Sequence, residues 1–275
     1  VEFTSDVLTL ERSGHVATLW LDRPAQRNAL GRALWDDLPR ACAAINADTS
    51  ARVVVVAAKG PHFSVGLDLK EFGGSLATGP GGASRAAASR RSYAMVRALQ
   101  DAVSSLANLA VPAIAAVHGY CLGGGIDLIS ACDVRLAAGD AVFSVRETKV
   151  AIVADLGTLQ RLPRIVGAGH VAELALTGKD IDAARAAAIG LVNSVHGASA
   201  DDVYDAALAM AEEIAANSPL AVQGTKAVLR ANDGRTIDEG LDFVARWNVM
   251  FLESNDLREA MAAFLERRSP NFSGD

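Results

Sequence analysis

Apolar and polar residues alternate from Val7 to Leu21 in VLTLERSGHVATLWL, with Ser13-Gly14 between the two runs. That alternation predicts a β-hairpin. From Arg27 to Asn46 the period lengthens, and Leu30, Leu34, Leu38 and Ile45 fall on or near one face of a helix. The unbroken VVVVAA at Val53 to Ala58 predicts a strand buried on both sides. A stretch rich in Gly and Ser, Gly73 to Ser84, reads as a mobile loop. Tyr93, Val96, Leu99, Val103 and Leu106 then mark a helix from Arg90 to Leu109.

Pro112 opens a strand, AIAAVHG, that runs into three glycines, Gly123, Gly124 and Gly125. A short helix at Asp127 to Ala131 and strands at Val134 to Ala137 and Ala141 to Glu147 follow. From Asp201 onward the pattern is helical, with caps at Ser218-Pro219 and a capping box at Thr236 to Glu239. The last two helices carry Phe243, Trp247, Phe251, Leu257, Met261, Phe264 and Leu265 at helical spacing. So much apolar surface on a terminal unit predicts contact with another subunit. The chain thus divides into a core of repeated ββα-like units, residues 1–200, and a helical region, residues 201–275.

Composition narrows the class. Half of the 275 residues are hydrophobic, enough for one large core. No apolar run reaches the roughly 18 residues of a membrane span, and the first residues lack a secretory pattern, so a cytoplasmic location and no membrane partner are expected. The net charge of −6 argues against a nucleic-acid partner. Cys42, Cys121 and Cys132 lack CxxC spacing, and the five histidines lack HxxxH or HExxH spacing, so no metal site is expected. His118 and Cys121, beside the glycines, read as core residues.

Glycines between a strand and a helix leave backbone N–H groups open to an oxyanion. GYCLGGGID lacks the GxGxxG of a dinucleotide site and the GK[ST] of a phosphate loop, and the chain has no GxSxG elbow. A second glycine loop, HFSVGLDLKEF at residues 62–72, supplies another backbone donor, as an oxyanion hole requires. In AVFSVRE, alternation puts Glu147 on the apolar face with Phe143 and Val145. A carboxyl group among apolar neighbours has a raised pKa and suits acid or base catalysis near neutral pH. Local sequence also allows Glu147 to turn to solvent or pair with Lys149. It equally allows Asp127 to be a helix-end charge and Asp155 an N-cap for the helix after it.

The loops FSVGLDLKEF and HGYCLGGGIDL, the phrase GTLQRLPRIVG and the closing AFLERRSPNF together resemble the crotonase family of enoyl-CoA hydratases and isomerases. The resemblance runs from RPAQRNAL to the last helix. GGGIDLISACDVR followed by VRETKVAIVADLGTLQRLP looks most like the 3,5-2,4-dienoyl-CoA isomerases, whose three acids match Asp127, Glu147 and Asp155. A common hydratase has glutamate at the place of Asp127 and no acid at that of Asp155.

The resemblance implies an α/β fold, a spiral of ββα turns with a C-terminal helical region that builds homo-trimers, often paired into hexamers. It implies a thioester oxygen held by the N–H groups of Leu67 and Gly124, with Ser64, Gly66, Leu67, Asp68, Leu69 and Lys70 along the CoA side. Arg27, and Arg267 from a neighbouring subunit, are implied phosphate partners. Coenzyme A is part of the substrate, and no separate cofactor is expected. Glu147 would exchange the C2 proton, Asp155 would serve C6, and Asp127 would position the diene between them. A hydratase, with Asp127 and Glu147 holding a water, is the alternative; a non-catalytic acyl-CoA binder is a third. The segment TKVAIVA departs from the isomerase pattern, which has a second acid and a glycine in place of Lys149 and Ala151. A lysine pointing inward there would lower the pKa of the acids.

Overall fold

The computed structural model describes residues 2–72 and 84–275. Its main sheet has seven strands in the order β1-β2-β3-β4-β5-β7-β10. The predicted hairpin is β2 (Leu8–Ser13) with β3 (Val16–Leu21), antiparallel and edged by β1 (Phe3–Thr4). β3, β4 (Val53–Ala58), β5 (Ala113–Val117), β7 (Val134–Ala137) and β10 (Ser194–Val195) run parallel. A smaller sheet holds β6 (Tyr120–Leu122), β8 (Val142–Ser144) and β9 (Ile181–Asp182).

The spiral arises because a strand of the main sheet is followed by one of the smaller sheet and then by a helix. Thus β5 and β6 lead to α3 (Gly124–Ser130), and β7 and β8 lead to α4 (Thr158–Ile165) and α5 (Ala168–Thr177). Ser64 adds a rung to the smaller sheet by bridging to Cys121.

Alternation along the parallel strands makes two cores. Val54, Val56, Ala115 and Val117 face the layer of α1 (Arg32–Ala47) and α2 (Arg85–Ala107). Val53, Val55, Ile114 and Ala116 face the other way, onto Val203, Ala207, Ala211 and Ala215 of α7 (Ala200–Ala215), which follows the short α6 (Ala183–Ala188). By its packing α7 therefore belongs to the sheet, so the boundary placed between residues 200 and 201 cuts off a helix that the second core requires. α8 (Pro219–Ala231), α9 (Ile237–Phe251) and α10 (Asn255–Glu266) form the helical remainder, and the expected caps at Ser218 and Thr236 are present.

Four elements differ from expectation, the first being the short helix expected at Asp127 to Ala131, which spans Gly124–Ser130. The helix predicted from Arg27 begins at Arg32, because Arg27 and Asn28 have φ values of 54° and 52°. Buried Asn28 instead donates to Lys59 O and His62 O, tying two loops together. The helix predicted from Arg90 already begins at Arg85, capped by Ser84, and Tyr93 is exposed on its projecting end. Residues 73–83 of the expected loop lie outside the described residues. Strand β8 ends at Ser144, three residues before Glu147. Among the described residues no helix is long and apolar enough to cross a membrane.

Candidate active site

The two glycine loops lie side by side. Ser64 N–H donates to Tyr120 O at 2.8 Å, and Leu122 N–H donates to Ser64 O at 3.0 Å. On the far side of the first loop, Leu30 N–H donates to Gly66 O and Asp68 N–H donates to Leu30 O. Since adjacent residues of an extended segment direct their amides to opposite sides, the N–H of Leu67 faces away from Leu30. Gly124 opens α3, where an N–H has no intrahelical acceptor. Among the described residues, neither the Leu67 nor the Gly124 N–H has a hydrogen-bond acceptor.

Each glycine answers a different constraint. Gly123 has φ 52° and ψ −118°, a region closed to ordinary L-residues. Gly66 has φ 85°, and a Cβ there would lie 2.7 Å from Leu122 O. A Cβ on Gly124 would lie 2.8 Å from Leu30 Cδ1, and one on Gly125 3.3 Å from Cys121 Sγ and Ser64 Cβ. The glycines thus bring two backbone segments within atomic contact while leaving their donors open.

Glu147 reaches this place by a route the alternation argument did not foresee. Gly123 N–H donates to Ser144 O at 2.9 Å, and the chain then turns through a 3-10 helix, Glu147–Val150. The carboxyl group comes back over the glycines, with Oε1 3.6 Å from the Cβ position of Gly123. Its Oε2 is buried without a hydrogen-bond partner among the described residues. Burial raises its pKa, and the nearby charge of Asp155 raises it further. Glu147 also borders an apolar cavity of about 400 Å³ lined by Val145, Val153, Leu159, Val171 and Ala175.

Asp127 is buried, and its Oδ1 accepts from the N–H of Thr158 at 2.6 Å and from the Thr158 hydroxyl at 2.7 Å. Burial lifts this carboxyl to about 7; the Thr158 bonds oppose that rise, and the charge of Glu147 adds to it. Asp127 therefore does cap a helix, but it caps α4 and not its own. Asp155, the expected N-cap of α4, makes no such bond: the cap position is Gly157, with no side-chain hydrogen bond. Asp155 is exposed, and partial burial still raises its pKa.

The other expected residues divide. Ser64 is fully buried, donates to Asn28 O and accepts from Gly66 N–H, so its hydroxyl braces the loop and cannot line a CoA groove. Asp68 pairs with Arg23 at 2.9 Å and accepts from the N–H groups of Lys70 and Glu71. Leu69 and Lys70 are exposed, and Lys70 has no side-chain partner among the described residues. Arg27 is exposed beside His62, whose pKa is lowered by burial and by that charge. Arg267 ends α10 in a left-handed turn, exposed, at the other end of the sequence from these loops.

Lys149 does not enter the site. Its chain lies against Gly178, its charge acts on Asp180, and among the described residues it makes no ion pair with Glu147. The residue that sequence reasoning missed is Thr158, quoted within GTLQRLP but assigned no role. Its signal was a hydroxyl at the start of a helix, directly after a glycine.

Two amide donors without an acceptor among the described residues, on loops that flank a buried carboxyl group of raised pKa, form an arrangement chemically suited to holding an oxyanion and moving a proton. The chain belongs to the enoyl-CoA hydratase/isomerase family, whose description matches residues 11–275. It is 43% identical over 267 residues to the mitochondrial Delta(3,5)-Delta(2,4)-dienoyl-CoA isomerase of Dictyostelium discoideum, covering 96% of this chain and 90% of that one. It is 38% identical over 270 residues to the peroxisomal enzyme of the same name from Arabidopsis thaliana, covering 98% and 97%. The enoyl-CoA hydratase of Bacillus anthracis superposes with a TM-score of 0.88 at 31% identity, over 98% of this chain and all of that one.

Proposed function

We propose that the chain converts a 3,5-dienoyl-CoA to the 2,4-dienoyl thioester. The observation that carries this reading is the Glu147 carboxyl group, whose Oε1 approaches Gly123 and whose buried Oε2 has no hydrogen-bond partner among the described residues, with the Leu67 and Gly124 N–H groups on the neighbouring glycine loops and a second acid, Asp155, in its field. Glu147 takes the C2 proton, and the electron pair moves onto the thioester oxygen between the two amides. Asp155 delivers a proton to C6 and the electrons return, so the double bonds shift without net gain or loss of atoms. Losing one oxyanion donor typically costs about 10²–10³ in rate. The apolar cavity next to Glu147 suits an alkyl chain.

Assaying a 3,5-dienoyl-CoA beside crotonyl-CoA tests the reading. Fast diene isomerisation with slow hydration is expected; fast hydration alone would establish the hydratase alternative. Asp155→Asn is expected to abolish most isomerisation, whereas hydration needs no acid there.

Lys70 and Arg27 are proposed phosphate partners of CoA, Lys70 because it is exposed and without a side-chain partner among the described residues. Lys70→Ala should raise KM for the CoA thioester and leave that for the pantetheine thioester unchanged. The exposed Ile237, Val249, Met250, Phe264 and Leu265 support a homo-trimer or hexamer, to which Arg267 would contribute across a subunit boundary. Sedimentation of a Phe264→Asp, Leu265→Asp double variant should show dissociation. A cytoplasmic location is proposed for the chain, whereas the two relatives named above are peroxisomal and mitochondrial.

A further inference from the structure

We propose that Thr158 is a positioning residue for the reaction: its amide and hydroxyl together tether one oxygen of Asp127 and leave the other as the free acceptor toward the substrate. The inference rests on the isomerase reading for its kinetic consequence, but not for its geometry. Both bonds end on Oδ1, at 2.6 and 2.7 Å, and Oδ2 has no protein partner among the described residues. Thr158 is fully buried and opens the eight-residue α4, so the helix start and the side chain act on the same carboxylate oxygen.

Arg161, one turn further along α4, steadies that helix start. It donates to Leu156 O and to Ser104 Oγ of α2, and its guanidinium lies where a side chain at Gly157 would stand. The charged and titratable groups around Asp127 are Glu147 from the 3-10 turn, which opposes its ionisation, Arg161 from α4, which favours it, and the buried Cys121 thiol of β6. Thr158 is the group in contact. A substitution that removes the hydroxyl takes away one stabilising bond from the charged form and frees the carboxylate to rotate.

The test uses the whole enzyme with Thr158→Val, Thr158→Ala and Thr158→Ser. Infrared titration follows the protonated-carboxyl band that is absent in Asp127→Asn. The hydrogen bond to a charged group predicts an upward midpoint shift of about one to two pH units in Thr158→Val or Thr158→Ala. Thr158→Ser should restore the wild-type midpoint, and the pH–kcat profile for the diene should move with the band. Loss of activity with an unmoved midpoint would reduce Thr158 to packing and overturn the proposal, as would wild-type behaviour of both hydroxyl-free variants. If the wild type fails to isomerise dienes, the function proposed above fails, and the band midpoint still decides the role of Thr158.

Discussion

Gly123 lies directly against Glu147: a methyl group on Gly123 would touch Oε1 at 3.6 Å. The same residue has φ 52° and ψ −118°, so Gly123→Ala combines a strained backbone with a methyl against the carboxyl group proposed to take the proton. Stability should fall by about 1–3 kcal/mol from the backbone alone. kcat should fall by about 10²-fold, because small misplacements at a reacting centre are that costly. Urea unfolding and steady-state kinetics check the two parts. An active, stable variant would show that the chain does not need this close approach.

Glu147→Gln separates catalysis from folding. The substitution keeps the shape of a side chain whose Oε2 has no partner among the described residues, so stability should change by no more than about 1 kcal/mol. Proton transfer is lost, and the isomerisation rate should drop by about 10²–10⁴-fold. Unchanged turnover would assign the proton to another group. An acyl-CoA binder without catalysis would show no turnover in either form.

How far the sequence discloses this site is clearest from Glu147 itself. The sequence placed Glu147 on the apolar face of a strand, but the alternation stops at Ser144, and it is a 3-10 turn that carries the carboxyl back to the glycines. The hairpin, β4 and β7 followed from local periodicity and match in extent. Leu30 continues the apolar spacing of α1 in sequence, yet it bridges to Leu67 and its side chain packs against Gly124. Pairings between distant segments, such as Ser64 with Cys121 and Thr158 with Asp127, leave no periodic trace. Ser64 misled for that reason, since only the folded chain reveals where its hydroxyl goes.

At Ala151 the resemblance to the isomerases implies a glycine, and the backbone gives a physical reason for one. Ala151 ends the 3-10 turn after Glu147 with φ 60° and ψ 33°, a left-handed conformation. That conformation costs an L-residue about 1–2 kcal/mol, while glycine gives back about 0.5–1 kcal/mol in chain entropy. Ala151→Gly should therefore stabilise the protein by roughly 0.5–1 kcal/mol. A denaturant midpoint that falls would mean that the methyl group contributes packing greater than the strain it imposes.

Asp127 links stability to pH in a direction opposite to that of a salt-bridged acid. Burial lifts its carboxyl from the ordinary range to about 7, so the folded chain holds the proton more tightly than the unfolded chain does. Its favourable contribution is complete below about pH 4 and is lost as pH rises toward 7. Asp127→Asn fixes the neutral form and still offers an oxygen to Thr158. At pH 8 it should stabilise the fold by on the order of 1–4 kcal/mol, and at pH 4 the gain should vanish. Thermal melts at the two pH values test the sign. A lower Tm at pH 8 would mean that the charged carboxylate, held by Thr158 and Arg161, is worth more to the fold than its burial costs. Under the proposed isomerisation, turnover should fall in the same variant, which would make the stability lost at Asp127 the consequence of keeping an ionisable group at the proposed diene site.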